Sequence, residues 1–280
     1  MIRKEMNHPS FLFILIDLDS LLHGLNLQRG RQSDTKISLS YVVSSLQLFC
    51  SSYSLMHREN CLCIITYHSA GLEFVYPNID GYLTEEINFK VSPALLSKTL
   101  QNRFERAINN LSNDLSRRKS RLNSALSSAL TIINKHSQGS IFFSRILNMQ
   151  FDKDVAQDYN SIMNSIFSAQ KLGVIIDSLV LAAADSHLMQ QTCFLSGGFY
   201  MKHSDWAELL IVLQSFFLAD VSIRSALSFP PQKMVDFKAS CFCHKKPVEF
   251  AHMCSVCLTL LCDIPSNACP VCETPLRIVT

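Results

Sequence analysis

From residue 11 to about residue 220, apolar runs of strand length alternate with longer stretches whose apolar residues recur at helical spacing. Crossover helices between parallel strands produce that alternation, so the chain is expected to form an α/β domain with a doubly wound, mostly parallel sheet. Phe11 to Ile16 is apolar throughout, as in a strand covered on both faces, and Asp17 at its end is expected to meet solvent. Leu39 to Met56 reads as helix, Cys61 to Tyr67 as the next buried strand, and Leu72 to Pro77 as a hairpin strand at the sheet edge. Leu122, Leu126, Ala129 and Ile133 mark one helix face, with Gly139 as a stop. A strand over Ser140 to Leu147 follows, then a helix striped by Tyr159, Ile162, Met163, Ile166 and Phe167 that ends at Gly173. Val174 to Leu181 is the next strand, and Asp185 or Ser186 caps a helix through Leu195. Gly197 and Gly198 then turn the chain, Phe199 to Met201 is a short strand, and Asp205 caps a last helix through Leu218.

At Pro230 and Pro231 the pattern stops, because tandem prolines resist both helix and sheet. Residues 1–230 are therefore expected to form the α/β domain and residues 238–280 a small cysteine-rich one. The chain has 11 cysteines, an odd number, and those from Cys241 to Cys272 are spaced for metal rather than for disulfides, which points to a reducing compartment, cytosol or nucleus. No apolar stretch approaches the roughly 18 residues of a membrane helix, and the run after Arg3 and Lys4 breaks at Asp17, too early for a secretion signal. The formal net charge of +2 argues against attraction of the whole protein to nucleic acid or an anionic membrane, so any such contact is expected to be local.

Cys254 and Cys257 form a C-x2-C knuckle, and Cys269 and Cys272 form a second. Four thiolates on two tight turns can surround Zn2+ tetrahedrally, and in a segment with few large apolar residues the metal supplies cohesion that packing does not. Cys241, Cys243, His244 and Cys262 offer a second tetrahedral set, interleaved with the first as in a RING finger, or else three thiols without metal. The tail lacks clustered positive charge and the paired histidines of a DNA-reading finger, so protein is its expected partner.

The strand ends gather Asp17 and Asp19, Asp152 and Asp154, and Asp185. Two readings are open: carboxylates converging on Mg2+, or helix caps and solvated acids. Phosphate-binding glycine loops and a nucleophile elbow are both absent. His23, His57, His68, His136, His187 and His203 are scattered singly, so no catalytic set and no small-molecule substrate is expected. Arg117, Arg118, Lys119 and Arg121, with Arg103 and Arg106 upstream, either touch phosphates or form a solvated entry to a helix. Cys50, Cys61, Cys63 and Cys193 read as small core residues.

Particular strings then carry a resemblance. Tyr159 to Lys171 (YNSIMNSIFSAQK), Ile176-Asp177, Asp185 to Gln191 (DSHLMQQ) and Ser196 to Lys202 (SGGFYMK) closely resemble the subunit 3 family of general transcription factor IIH. The tail, with Val235 to His244, Cys254 to Leu258, lone Cys262 and Cys269 to Thr274, resembles that family's C-terminal C4-type zinc finger. The resemblance implies a von Willebrand A (Rossmann-like) sheet domain followed by a small zinc-binding domain. Where a metal-binding von Willebrand A domain has D-x-S-x-S, Asp19 and Leu21 stand at the two serine positions, so the adhesion site is not intact. What the family implies is a non-enzymatic scaffold of a nuclear core complex that acts in transcription initiation by RNA polymerase II and in nucleotide excision repair. It also implies that the chain grips the RING-like domain of subunit 2, with nucleic acid contacted only indirectly or inside the complex. Residues 78–138, which contain the basic run, depart from the family in length and composition. The alternative reading is a RING-type ubiquitin ligase with a substrate-binding von Willebrand domain.

Overall fold

The computed structural model describes residues 9–29, 37–77, 87–91, 93–109, 121–137, 143–152 and 159–224, and, beyond these, 226–232, 234–235, 237–238, 241–243, 248–257, 259–263 and 268–275. The apolar run at the start becomes β1 (Ser10–Asp17), buried at every position. It lies between two parallel neighbours, β2 (Cys61–His68) and β4 (Phe143–Gln150). Beyond β4 the parallel strands β5 (Ile175–Val180) and β6 (Tyr200–Lys202) extend the sheet, and β3 (Gly71–Tyr76) closes the other side antiparallel to β2. The order is β3-β2-β1-β4-β5-β6, the doubly wound, mostly parallel sheet expected from the alternation.

Successive side chains of β1 serve opposite layers. Leu12, Ile14 and Ile16 pack with α1 (Leu18–Arg29), α2 (Leu39–Met56), α3 (Pro93–Asn109) and the segment from Trp206 to Phe217. Phe11, Phe13 and Leu15 pack with α4 (Leu122–Ser137), α5 (Tyr159–Leu172) and Met189 of α6 (His187–Ser196). Helix α2 has the predicted bounds, and the Ser38 hydroxyl accepts from the Tyr41 amide at its start. Helix α6 is capped by Ser186, not Asp185, and closes on Gly197 in the left-handed region, φ 74°. Gly198 follows where a Cβ would stand 1.9 Å from the Ile176 carbonyl oxygen, so β6 meets β5 only because no side chain intervenes.

Several expectations are corrected. Asp17 is buried rather than solvated. The strand read as Ser140 to Leu147 is Phe143–Gln150, while residues 140–142 and Gly139 lie outside the described residues. Phe167 is half exposed on α5 although Ile162 and Ile166 of the same stripe are buried. The helix expected from Asp205 to Leu218 is a 3-10 turn, the helical turn α7 (Leu209–Val212) and a π-helical turn in succession, from Trp206 to Phe217. Pro230, Pro231, Gln232 and Val235 do not leave the sheet domain: with Phe194, Tyr200 and Lys202 they line a cavity of about 220 Å3 beside β6. The Gln232 side chain accepts from the Tyr200 amide, and Phe237 packs edge-on against Phe194. Cys61 is only half-buried, unlike Cys50, Cys63 and Cys193.

One buried ion cluster closes the amino ends of β4 and β5. Both guanidinium NH2 groups of Arg224, from α8 (Val221–Arg224), donate to the Asp177 carboxylate, at 2.7 and 2.5 Å. Arg145 donates to the Ala219 and Leu218 carbonyls, at 3.0 and 3.4 Å, with Asp177 3.7 Å away. The Phe199 amide donates to Asp177 as well, at 2.8 Å. Burial pushes the Arg145 guanidinium below its ordinary pKa, and the charge of Asp177 works against that loss.

Candidate metal centre

At the carboxyl ends of the strands the acids are committed to backbone and side-chain partners. Asp17 Oδ1 accepts from the Ser20 amide at 3.1 Å, capping α1, and Asp19 Oδ2 accepts from the Ser69 amide at 2.7 Å. The Ser20 hydroxyl donates to the Asp17 carbonyl and accepts from the Phe151 amide. Leu21, at the second of the two lost hydroxyl positions, is fully buried in the core and offers no oxygen. Asp152 pairs with His23 Nδ1 at 2.6 Å, and Asp185 accepts from the Tyr200 hydroxyl with Lys202 3.7 Å away. Asp154 lies outside the described residues. The cap reading therefore describes Asp17, whereas Asp185 belongs to a side-chain pair.

Burial pushes the Asp17 carboxyl up to about 7, with Ser20 hydrogen bonds opposing and the charge of Asp19 assisting. The unfolded chain releases this proton near pH 4, so between about pH 4 and pH 7 the folded state binds more protons and loses stability as pH rises. Asp17→Asn is expected to flatten the stability profile across that window, which wild type descends by up to about 1.4 kcal/mol per pH unit from this group. Denaturant titrations at a series of pH values check it. Parallel profiles for the two proteins would show that Asp17 is ionised in the fold.

Of the residues of the basic run that can be placed, two hold backbone and one is exposed. Arg103 donates to the Phe74 carbonyl and Arg121 to the Ser69 carbonyl, while Arg106 is exposed on α3. Arg117, Arg118 and Lys119 lie outside the described residues.

In the tail, each knuckle folds on itself. The Cys254 amide donates to the Thr259 carbonyl at 3.0 Å, and the Cys269 amide donates to the Thr274 carbonyl at 2.9 Å. The turns bring the four sulfurs of Cys254, Cys257, Cys269 and Cys272 within 4.8 Å of one another. Cys254 and Cys272 are 3.7 Å apart, Cys257 and Cys269 3.6 Å. A tetrahedron with metal–sulfur bonds of about 2.3 Å has edges of about 3.8 Å, so the four thiols fit a tetrahedral soft-metal site. Among the described residues this is the one group of three or more histidine, cysteine or acidic side chains whose ligand atoms all lie that close.

The sulfurs differ in surroundings. Cys254 and Cys269 are buried, and Cys257 and Cys272 are half-buried. The hydroxyl and amide of Thr259 hold the Cys257 thiol down at about 6, and Thr274 holds Cys272 below the ordinary thiol value in the same way. At Cys269 the amides of Cys272 and Val271 pull down, yet burial and the crowding of Cys257 and Cys272 leave the thiol raised, at about 11. A set that favours thiolate at Cys257 and Cys272 and resists it at Cys269 is one that a divalent cation completes.

Of the second set, Cys241 and Cys262 are neighbours, the Cys262 amide donating to Cys241 Sγ at 3.2 Å. The hydrogen bond with Cys241 raises the Cys262 thiol, with desolvation and the charges of Cys241 and Cys243 adding to it. His244 lies outside the described residues. Thr259 and Thr274 were not legible as site residues in the motif, although C-x-V-C-x-T occurs twice, at Cys254 to Thr259 and Cys269 to Thr274.

The fold and the site together define a doubly wound α/β protein with an appended module whose four clustered cysteines fit a metal ion. The family model for transcription factor Tfb4 matches residues 9–273, both parts in one span, and the chain belongs to that family. General transcription factor IIH subunit 3 of Dictyostelium discoideum is 32% identical over 259 residues, covering 86% of this chain and 69% of its own length. The general transcription and DNA repair factor IIH subunit tfb4 of Schizosaccharomyces pombe is 30% identical over 280 residues, covering 96% and 90%. The crystal structure of the TFIIH p34 N-terminal domain has the same fold, with a TM-score of 0.62 at 21% identity over 74% of this chain and 96% of that one.

Proposed function

We propose that this chain is a non-enzymatic structural subunit of the transcription factor IIH core, working in the nucleus in transcription initiation and nucleotide excision repair by holding sister subunits. The observation that carries the proposal is the family match across both the sheet and the cysteine module. Asp19 and Leu21 at the two hydroxyl positions, together with the commitment of the strand-end carboxylates to caps and side-chain pairs, support a scaffold role. In this reading residues 1–230 are the scaffold domain and residues 238–280 the finger. Cys254, Cys257, Cys269 and Cys272 hold a structural Zn2+, while Cys241, Cys243, His244 and Cys262 are the candidate set for a second. The relatives' names speak of transcription and repair, and nothing in them favours the ubiquitin ligase alternative.

A permanent scaffold presents apolar surface to its partners. Leu55 on α2 is 84% exposed and Ile211 on the adjoining turn is 63% exposed, with Leu48 half exposed on the same helix. The partner proposed is the RING-like domain of subunit 2. Co-expression of the full chain with the cognate subunit 2 is expected to give a stoichiometric complex and to raise soluble yield several-fold over expression alone. A chain that is monodisperse by itself and retains no subunit 2 at micromolar concentration would remove the main support for this assignment.

A further inference from the structure

We infer that Thr259 and Thr274 are positioning residues of the metal centre, whose hydroxyls donate to the two half-buried ligand sulfurs, Cys257 and Cys272, and govern how firmly the ion is kept. The inference rests on the four cysteines being a metal site, and it concerns residues outside the ligand set. Each threonine stands two residues after the second cysteine of its knuckle, with Oγ1 3.2 Å from that sulfur in both cases. Each is also anchored through its own carbonyl, which accepts the amide of the first cysteine. The hydroxyl is therefore aimed by the turn itself and pays little entropy to stay in place. With a metal on the sulfur no S–H proton remains, so at this distance the hydroxyl is the donor and the sulfur the acceptor.

The two hydroxyls fall on the sulfurs that need them. Cys254 and Cys269 are shielded by burial, whereas Cys257 and Cys272 are open to water and to competing chelators. A hydrogen bond to a coordinated thiolate withdraws electron density from sulfur and fixes its orientation, the role that outer-shell partners play for other metal ligands. The duplication strengthens the argument. Outside the cysteines themselves the two knuckles share only valine between the cysteines and this threonine, and Val256 and Val271 point largely to solvent. What repeats on the inside is the hydroxyl.

The full chain loaded with Co2+ tests this, with Thr259→Val and Thr274→Val removing the hydroxyl at nearly constant shape and Thr259→Ser and Thr274→Ser restoring it. Loss of the donor is expected to move the sulfur-to-cobalt charge-transfer band to lower energy and to weaken the hold on Zn2+ about tenfold in competition with a chromophoric chelator. The serine variants are expected to match wild type in both readouts. Valine variants that keep the wild-type band and affinity overturn the inference, as do serine variants that fail to bind cobalt alongside them. A wild-type chain that takes up no cobalt overturns instead the metal reading beneath it, so the two failures are distinguishable.

Discussion

Asp177→Asn is expected to destabilise the sheet domain by about 3–5 kcal/mol, the cost of leaving buried charge without its counter-ion. The asparagine keeps the shape of the side chain and one oxygen for the Phe199 amide, but it removes the charge and turns the other position into an NH2 donor facing an Arg224 nitrogen. What it strands is the pair Arg145 and Arg224, the first essentially inaccessible to water, the second 13% exposed. Neither guanidinium can discard its proton at any pH the fold survives, so the penalty is not relieved by titration. Urea titration of the full chain, followed by a probe in the sheet domain such as Trp206, measures it. A loss below about 1 kcal/mol would mean that Asp220, whose charge also acts on both guanidiniums, compensates for the lost carboxylate. Arg224→Met, which fills the same space without charge, is expected to cost less than Asp177→Asn, because Arg145 remains beside Asp177.

Removing zinc, or replacing Cys254 by serine, is expected to abolish the tail's structure and leave the sheet intact. The tail's strands β7 (His252–Met253) and β8 (Leu260–Leu261) have two residues each, and Leu261 is its one buried aliphatic side chain among the described residues. So small a core supplies little, whereas a structural zinc contributes about 10–16 kcal/mol in finger peptides. Limited proteolysis before and after chelation separates the two parts. The prediction is a stable fragment ending near residue 238, since Gln232 and Phe237 pack on the sheet domain, with cleavage sites appearing from there onward. Elemental analysis of protein purified without chelator fixes the count: less than one zinc per chain would defeat the proposal, and two would establish the interleaved second site.

The sheet was legible because its signals are local. A continuous apolar run, a Ser cap three residues before an amide, and a glycine after the last helical turn each announce themselves within a few positions, and α2, β2 and the end of α5 follow them closely. Helix α1 went unread because its sequence, Leu18 to Arg29, carries Gly24 where a good helix former is expected. The structure gives that glycine a purpose, since a Cβ there would stand 2.6 Å from the ring of Trp206. The clustering of the four cysteines was legible because two C-x2-C knuckles bring their sulfurs together. The ion cluster was not: Arg145, Asp177 and Arg224 are far apart in sequence, and a lone Asp within an apolar strand gives no sign of its partner. The threonines beside the ligands were missed for a different cause, that a hydroxyl two residues past a cysteine looks like any turn residue until the knuckle closes.

The packing of the segment after α8 against the sheet edge alters what kind of tether joins the finger to the body. Were the chain free from Arg224 to Cys241, the finger would range widely and a partner touching both parts would bind the second almost as an independent event. Instead Gln232 is tied to β6 and Phe237 to Phe194, which leaves a chain length of three residues, 238–240, before Cys241. A short leash of that kind gives the second contact an effective concentration in the millimolar range or above. Two modest surfaces, one on the sheet domain and one on the finger, can then act as a single long-lived grip, and cutting the leash near residue 238 would weaken the grip by orders of magnitude without altering either surface.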